Sequence, residues 1–427
     1  MATAIGWPGA RSPTGSVLLV AIAIALAVPP IVHADPRPGT STVTDDPRGI
    51  DEDAVTPADV ALFVPRVVLT PLRWLLEGTY YPIQSALHYI SLGAAGSDDA
   101  DEPGTAEISP LITAYSSAGV TVGATVFDSD LLGHQERLAL TVSFLGRYVH
   151  GYRAELEARH LAGTFLWLDA EARYEDEDQL HFFGIGERGP ESRYQQQRVL
   201  GHMRAGTFLF DDRLGLGASF TYNHRRFSAT EDSSITRLYP GLPGFADGTD
   251  EIDVAGEVVL DLRREALSGF ILEAFGGGVA SNHSHWGVDA AGIIDLFRGT
   301  RLLVLRASIE AVDGDSIPFA DLPQLGGPSR LRGYALDTFR DQKAVLGSIA
   351  FHYPIHELLR GHLFFDVGRV ANDYGEIFTA KGWRAGGGGG LCFLDMFRID
   401  LSYGDGLYLL ITTEDVAALI PKRSDRL

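Results

Sequence analysis

The feature that most constrains the fold of this chain is an alternation of apolar and polar residues that recurs between residues 107 and 413. Successive side chains of a β-strand point to opposite faces of the sheet, so a period of two indicates strands with one apolar and one polar face. No helical period interrupts the pattern, which predicts an all-β region. The alternation is clearest in four segments: His150–Arg159, Asp250–Leu262, Arg301–Ala311 and Met396–Tyr403.

A soluble antiparallel sandwich alternates in the same way, and three observations favour a membrane barrel over it. The segments are about 9–13 residues long, which suits a tilted crossing of a bilayer. They continue for about 300 residues, beyond the usual size of one soluble core, and their polar faces carry charges of both signs. The sequence therefore predicts a transmembrane antiparallel β-barrel of about sixteen strands over residues 107–413.

The first 34 residues have the layout of a secretory signal peptide. Arg11 precedes an apolar run from Val17 to Val28, and Val32-His33-Ala34 supplies small or apolar residues at a cleavage site. The alternative, a single membrane anchor, would need a longer apolar run. A signal peptide followed by a barrel predicts that the protein resides in a bacterial outer membrane, in contact with its lipid.

Residues 57–92 are predicted to form a few short helices, which lie in the periplasm or at the membrane interface. Thr56 is placed to cap a helix whose first position is Pro57, and further prolines interrupt the apolar run. A plug inside the lumen and a partner-binding segment are the alternatives. The remaining segments outside the barrel are predicted as a flexible linker, an acidic linker and a C-terminal tail: 35–56, 93–106 and 414–427.

The charge and cysteine content exclude several classes of function. Acidic residues number 56 against 35 basic ones, for a net charge of −21, and this balance argues against nucleic acid as a partner. The single cysteine, Cys392, allows neither an intrachain disulfide nor a thiolate metal cluster. No cofactor is predicted. A Gly-x-Ser-x-Gly nucleophile motif is absent from the sequence, so an enzyme such as an outer-membrane lipase is not expected.

One connection between predicted strands is too long for a simple turn. Asp313–Lys343 runs for about thirty residues, a length that usually indicates a functional loop. It contains Gly326, Gly327 and the tripeptide Arg332-Gly333-Tyr334, followed by Phe339-Arg340-Asp341. Shorter polar stretches, Glu175–Arg193 and Ser228–Thr249, are predicted as extracellular loops.

The strand that follows this loop offers a partner for Arg332. Alternation in residues 362–368 puts Asp366 on the face that points into the lumen. An enclosed arginine needs a carboxylate because an unpaired buried charge is very costly, and the guanidinium fork suits a carboxylate better than an ammonium does. Gly333 permits a sharp turn. From the residues alone, Arg332 in a solvated extracellular loop remains the alternative.

The Arg332-Gly333-Tyr334 motif and the later Phe364-Phe365-Asp366-Val367-Gly368 segment together resemble the BamA/TamA superfamily, also called the bacterial surface antigen family. The resemblance implies an inward-folded loop in which Arg332 pairs with Asp366, supported by Gly326, Gly327, Phe364 and Gly368. It further implies a role in outer-membrane protein or lipid assembly or translocation, with a client polypeptide or a periplasmic partner. POTRA domains are not recognisable in this sequence. A passive pore or structural barrel is the alternative function.

Two other features have ordinary structural interpretations. His283, His285 and Trp286 suggest a metal site, but a solvated strand end is the preferred interpretation, and no metal is predicted. The Gly386–Gly390 run lacks the strand–loop–helix context of a phosphate site. It is predicted to permit a bend or a close backbone approach in the wall.

Overall fold

The computed structural model describes most of the predicted barrel. The described residues are 106–131, 136–230, 235–263, 268–279, 283–297, 299–356, 358–393 and 397–413. The predicted signal peptide, linkers and helical segment within residues 1–105, and the tail at 414–427, lie outside this set. Within it, no helix combines the length and the apolar character that a bilayer crossing requires.

Sixteen antiparallel strands close into a barrel, and β12 and β13 form a separate two-stranded ribbon. The predicted fold class and strand number are therefore confirmed. The first eleven wall strands are β1 (Glu107–Tyr115), β2 (Gly119–Asp128), β3 (Arg137–Leu145), β4 (Tyr148–Ala158), β5 (Leu166–Phe182), β6 (Ser192–Leu209), β7 (Leu214–Ala229), β8 (Thr249–Asp261), β9 (Gly269–Val279), β10 (His283–Phe297) and β11 (Arg301–Gly314). The ribbon and the remaining wall strands are β12 (Gln324–Leu325), β13 (Phe339–Arg340), β14 (Lys343–His356), β15 (Leu359–Ala371), β16 (Arg384–Phe393), β17 (Phe397–Tyr403) and β18 (Leu407–Thr412).

Helical structure in the described residues is confined to single turns within the connections. The turn Tyr374–Ile377 is capped by Asp373, whose side chain accepts a hydrogen bond from the Gly375 backbone N–H. The others are the 3-10 turns Leu161–Gly163 and Phe319–Asp321 and the α-helical turn Ile235–Leu238.

The wall has the reversed polarity of a membrane barrel, with apolar side chains outside and charged side chains inside. In β8, Val254 is 55% exposed whereas the neighbouring Asp253 is only 4% exposed. Exposed apolar side chains in a continuous belt suit the hydrocarbon of a bilayer, and the enclosed charges suit a lumen in which ion pairs can form. The alternation seen in the sequence thus separates a lipid face from a lumen face.

One predicted loop is shorter in the structure than the sequence suggested. β5 continues to Phe182 and β6 begins at Ser192, so much of the predicted loop Glu175–Arg193 is strand. Polar residues dominate here because the lumen-facing charges pair with each other. The Glu177 carboxylate, for example, accepts hydrogen bonds from Arg147 and from Gln196 at 3.0 Å.

The long connection between β11 and β14, residues 315–342, folds into the lumen and is called the inner loop below. Its ribbon packs Leu325, Leu331 and Phe339 against Leu346 of the wall strand β14. Nearer its start, Phe319 is completely buried among aromatic side chains. This aromatic cluster comprises Phe182, Tyr194, Phe227, Tyr239, Phe245 and Phe319. The lumen therefore encloses a folded segment with hydrophobic contacts of its own.

Candidate functional site

The inner loop is attached to the wall by an ion pair between Arg332 and Asp366. Arg332 Nε lies 2.8 Å from Asp366 Oδ2, and Nη2 lies 2.6 Å from Oδ1, which is the bidentate geometry of a strong guanidinium–carboxylate pair. The Arg332 backbone N–H also donates to Oδ2 at 2.9 Å. The two side chains are 11% and 2% exposed, so the pair is shielded from bulk water. We refer to this pair as the lumen lock.

Two neighbours complete the surroundings of the lumen lock. Ser348 of β14 lies directly opposite Asp366 in the strand register, and its hydroxyl donates to Asp366 Oδ1 at 2.6 Å while accepting from Arg332 Nη2 at 3.0 Å. The Arg332 guanidinium carbon is 3.6 Å from the centre of the Phe364 ring, a close cation–π contact. Every strong interaction of the guanidinium therefore holds the loop against β14 and β15.

Glycines let the backbone of the inner loop approach the wall. Gly333 has a φ of +95°, and a Cβ there would lie 2.6 Å from the backbone of Tyr403. A Cβ at Gly386 in β16 would lie only 1.8 Å from the Arg332 carbonyl oxygen. At Gly388, it would lie 2.9 Å from the Phe364 ring. Gly386 thus allows the loop backbone to approach β16 closely, and Gly388 leaves room for the Phe364 ring that contacts Arg332.

The other predicted supporting glycines shape the loop and its contact with the wall. Gly326 and Gly327 have φ values of +119° and +104°, which L side chains rarely adopt. Their backbone N–H groups donate to the carbonyl oxygens of Arg330 at 2.8 Å and Tyr334 at 3.2 Å, which closes a tight turn around the motif. A Cβ at Gly368 would meet the Leu325 side chain at 3.0 Å.

Tyr334 connects the inner loop to both sides of the barrel closure. Its hydroxyl donates to the Ala385 carbonyl oxygen of β16 at 3.1 Å. Burial, together with the negative charge of Asp405, raises the pKa of Tyr334 above its usual range, so this hydroxyl stays protonated as a donor. On the other side, the Tyr334 carbonyl oxygen accepts a buried hydrogen bond from the Tyr115 hydroxyl of β1 at 2.7 Å.

The barrel closes between β1 and β18, and this seam is short. Three residue pairs join the strands: Thr113 with Thr412, Ala114 with Ile411, and Tyr115 with Leu410. In the described residues, the segment Glu107–Leu111 of β1 has register partners on β2 and none on β18. Among the described residues, the seam is therefore the wall contact with the fewest ladder pairs, although backbone bonds from Ser116 to Leu409 and from Thr413 to Ile112 flank them.

The inner loop contacts both strands of this seam near their loop ends. The Tyr115 ring stacks on Tyr408 of β18 with the ring centres 5.9 Å apart. The Ser117 hydroxyl, in the turn after β1, accepts from the Leu336 backbone N–H at 3.2 Å. In the turn before β18, the Asp405 backbone N–H donates to the Gly333 carbonyl oxygen at 3.1 Å. One short segment of the inner loop thus contacts β1, β16 and the β17–β18 turn at the same time.

No sequence motif indicated the seam residues, and the interpretation of one histidine was wrong. Tyr115 and Ser348 belong to no motif, and only the fold brings them to the loop. His283 is 8% exposed, so the interpretation of this group as a solvated strand end is wrong for it. Trp286 donates to the Tyr374 hydroxyl at 3.1 Å. No group of three or more His, Cys, Asp or Glu side chains suited to a metal ion occurs among the described residues.

Comparisons with known proteins agree with this architecture. Residues 259–404 match the Omp85 superfamily domain. No curated protein sequence matches the chain at a significant level. Among solved structures, BamA from Haemophilus ducreyi lacking POTRA domains 1–3 is 16% identical, with a TM-score of 0.51, and the match covers 73% of this chain and 70% of that one. CdiB from Escherichia coli is 12% identical, with a TM-score of 0.52, and the match covers 72% of this chain and 62% of that one.

At these identities, the structural matches show the fold alone, and the domain match covers 146 of the chain's 427 residues. That match covers the inner loop, the lumen lock and the glycine run of β16. Residues 259–404 of this sixteen-stranded outer-membrane barrel therefore match the Omp85 superfamily domain.

Proposed function

We propose that this barrel assembles or translocates protein or lipid at the outer membrane by parting β1 from β18. The observation that carries the proposal is the short seam, with its three residue pairs, in direct contact with the inner loop. The matching domain family supports the same role. A periplasmic partner is expected to supply client binding, and the client itself can be a polypeptide or a lipid.

The energetics of the wall favour this one opening. β6 and β7 pair continuously from Tyr194–Ala229 to Leu209–Leu214, so separating them would break a long ladder. A backbone group left without a partner in the bilayer costs several kcal/mol by order of magnitude. Parting the seam exposes far fewer such groups, and a client strand or the lipid interface can satisfy them. Among the described strand pairs, opening therefore costs least between β1 and β18.

The lumen lock gives the inner loop a fixed attachment during such an opening. Arg332 holds the loop to Asp366 of β15 and Ser348 of β14, which lie three and four positions from β18 in the barrel order. Tyr334, two residues later, contacts the seam itself. In this proposal, the loop keeps β14–β16 in place while its contacts with Tyr115, Ser117 and the β17–β18 turn break and re-form.

The test is to close the seam covalently. In a Cys392→Ala background, Thr113→Cys and Thr412→Cys would join β1 to β18. The two threonine hydroxyls lie 2.9 Å apart in the native seam. The matched control joins β2 to β3 through Thr125→Cys and Thr141→Cys, because these cross-strand hydroxyls are also 2.9 Å apart. Each variant replaces the native protein in its bacterium, and the outer-membrane protein content and vancomycin exclusion are measured.

We expect the oxidised seam variant to lose function and to regain it with a membrane-permeant reductant. The oxidised control should behave like the unmodified protein. Full function with the seam closed would reject the proposal. A large, steady single-channel conductance that does not depend on the inner loop would instead favour a passive pore. Affinity purification from outer membranes would then identify the periplasmic partner.

A further inference from the structure

A cavity of about 160 Å³ lies in the lumen between the inner loop and the strands β5, β6 and β7. Its lining is unusually basic for a chain whose net charge is −21. Two carboxylates, those of Glu177 and Asp337, also line the cavity, and Arg147, Arg225 and Arg330 form ion pairs with Glu177, Asp321 and Glu310. The five guanidinium groups that line the cavity belong to Arg147, Arg198, Arg225, Arg330 and Arg340.

Arg340, on the loop side of the cavity, is buried without a carboxylate partner among the described residues. It is 2% exposed and lies against the rings of Phe182 and Phe319, with its guanidinium carbon 5.6 and 5.3 Å from their centres. Nη1 donates to the Phe319 carbonyl oxygen at 2.8 Å, whereas Nε has no hydrogen-bond partner. A buried guanidinium in this position is destabilising unless a negative charge lies nearby.

The closest link from Arg340 to negative charge runs through a neutral amide. In the orientation that satisfies the Gln324 side chain, its oxygen accepts from Arg340 Nη2 at 3.1 Å and its nitrogen donates to Asp337 at 2.8 Å. The amide passes on a hydrogen bond but supplies no charge. The positive charge of Arg340 is therefore compensated only indirectly.

Arg198, on the wall side of the same cavity, is also incompletely satisfied. It is 7% exposed, and its Nε donates to Asn223 at 3.1 Å. Nη1 reaches Glu175 only at 3.5 Å, and Nη2 has no hydrogen-bond partner. Two buried guanidinium groups that line the cavity, one on the inner loop and one on the wall, thus each have one nitrogen without a hydrogen-bond partner.

We propose that this cavity binds a small oxyanion of the phosphate or sulfate class, which bridges Arg340 of the inner loop to Arg198 of the wall. Guanidinium groups match the oxygens of such anions in geometry and charge. A space of this size admits a small ion. The bound anion would supply the missing negative charge and would fix the inner loop to β6. This role does not depend on whether β1 parts from β18.

The test measures binding of inorganic phosphate to the full-length protein in detergent by titration calorimetry, at constant ionic strength set with chloride. We expect saturable binding at one site and a rise in melting temperature with phosphate concentration. Arg340→Gln and Arg198→Gln should each weaken binding roughly ten- to a hundredfold, as loss of a charge-assisted hydrogen bond does. Arg204→Gln is the matched control, because Arg204 lies on β6, pairs with Glu257 at 2.7 Å and does not line the cavity.

Gel heat-modifiability checks that each variant is folded, and Arg198→Gln decides the outcome if Arg340→Gln does not fold. Competition by glycerol 3-phosphate at equal affinity would identify a phosphorylated headgroup as the natural source of the anion, and its failure to compete would identify the free ion. The proposal is overturned if phosphate does not bind saturably, or if both cavity variants bind it as tightly as the Arg204→Gln control.

Discussion

The two sides of the barrel differ greatly in height. β5, β6 and β7 have 17, 18 and 16 residues, whereas β17, β18 and β1 have 7, 6 and 9. At about 3.3 Å per residue, β6 extends for roughly 59 Å and β18 for roughly 20 Å. A tilted strand needs about 9–11 residues to cross the hydrocarbon core. The tall side, β5–β7, therefore extends beyond the bilayer, whereas β1 just reaches this length and the described parts of β17 and β18 are shorter than it.

This difference separates a wall region with long strand pairings from the seam, which we propose to open. On the tall side, long ladders, lumen ion pairs and the aromatic cluster reinforce each other. On the seam side, the ladder pairs are few. Because β17 and β18 are short, we expect the bilayer to thin locally beside them. The inner loop contacts both regions, so its attachments on each side can be tested separately.

The largest effect is expected from breaking the lumen lock. Arg332→Ala leaves Asp366 buried without its partner, which costs about 3–5 kcal/mol. We expect loss of the heat-resistant folded form on gels, with only partial recovery in Arg332→Lys because an ammonium cannot bind both carboxylate oxygens in the same way.

The control for this prediction is Arg137→Ala. Arg137 forms an exposed pair with Glu157 at 3.7 Å, and such pairs contribute little to stability. Unchanged heat-modifiability of Arg332→Ala would show that the lumen lock does not stabilise the barrel.

A substitution in the aromatic cluster tests how strongly the inner loop is held to the tall side. Phe319→Ala removes a side chain with 0% exposure, and we expect it to lower the free energy of unfolding by about 3 kcal/mol. Limited proteolysis should then cleave within residues 315–342 sooner than in the native protein. Phe378→Ala, at a position 88% exposed, should change neither quantity. Equal protease resistance of the two variants would contradict a role for the cluster in holding the loop.

A smaller effect is expected from adding one methyl group at Gly333. Gly333→Ala combines a φ of +95° with a Cβ 2.6 Å from the Tyr403 backbone, so we expect a loss of about 1–3 kcal/mol in unfolding free energy, measured in urea. Gly201→Ala in β6 is the control, since a Cβ there has no heavy atom within 4 Å. Similar urea midpoints for both variants would mean that the loop can retreat from the β17–β18 turn without cost.

The smallest effect concerns the hydrogen bond between the seam and the inner loop. Tyr115→Phe removes the donor to the Tyr334 carbonyl, a loss of about 1 kcal/mol, which should raise the open fraction of the seam about fivefold. The readout is thiol labelling of Thr412→Cys in a Cys392→Ala background, at a position that is 1% exposed when the seam is closed. Tyr152→Phe, on the lipid face, should leave the labelling rate unchanged. Equal labelling rates for the two variants would show that the hydrogen bond between Tyr115 and the inner loop does not hold the seam closed.

Much of the fold and part of the site were predictable from sequence. Strand parity placed Asp366 in the lumen, and the resemblance carried by the Arg332-Gly333-Tyr334 motif implied its pairing with Arg332. Ser348 and Tyr115 could not be found this way, because they depend on the register of β14 with β15 and on how β1 meets β18. Strand ends were also misjudged around Glu175, since lumen charges on a tall wall have the composition of a loop.

The bare backbone of β16 has a consequence for the order in which the barrel is built. The inner loop lies between Gly386 on one side and the β17–β18 turn on the other, both of which are synthesised after it. Tyr115 and Tyr334, which meet in the finished protein, are 219 residues apart in the chain. Contacts at this separation form late in folding. We therefore expect the inner loop to pack against the wall while the sheet is still open, and β1 to pair with β18 last.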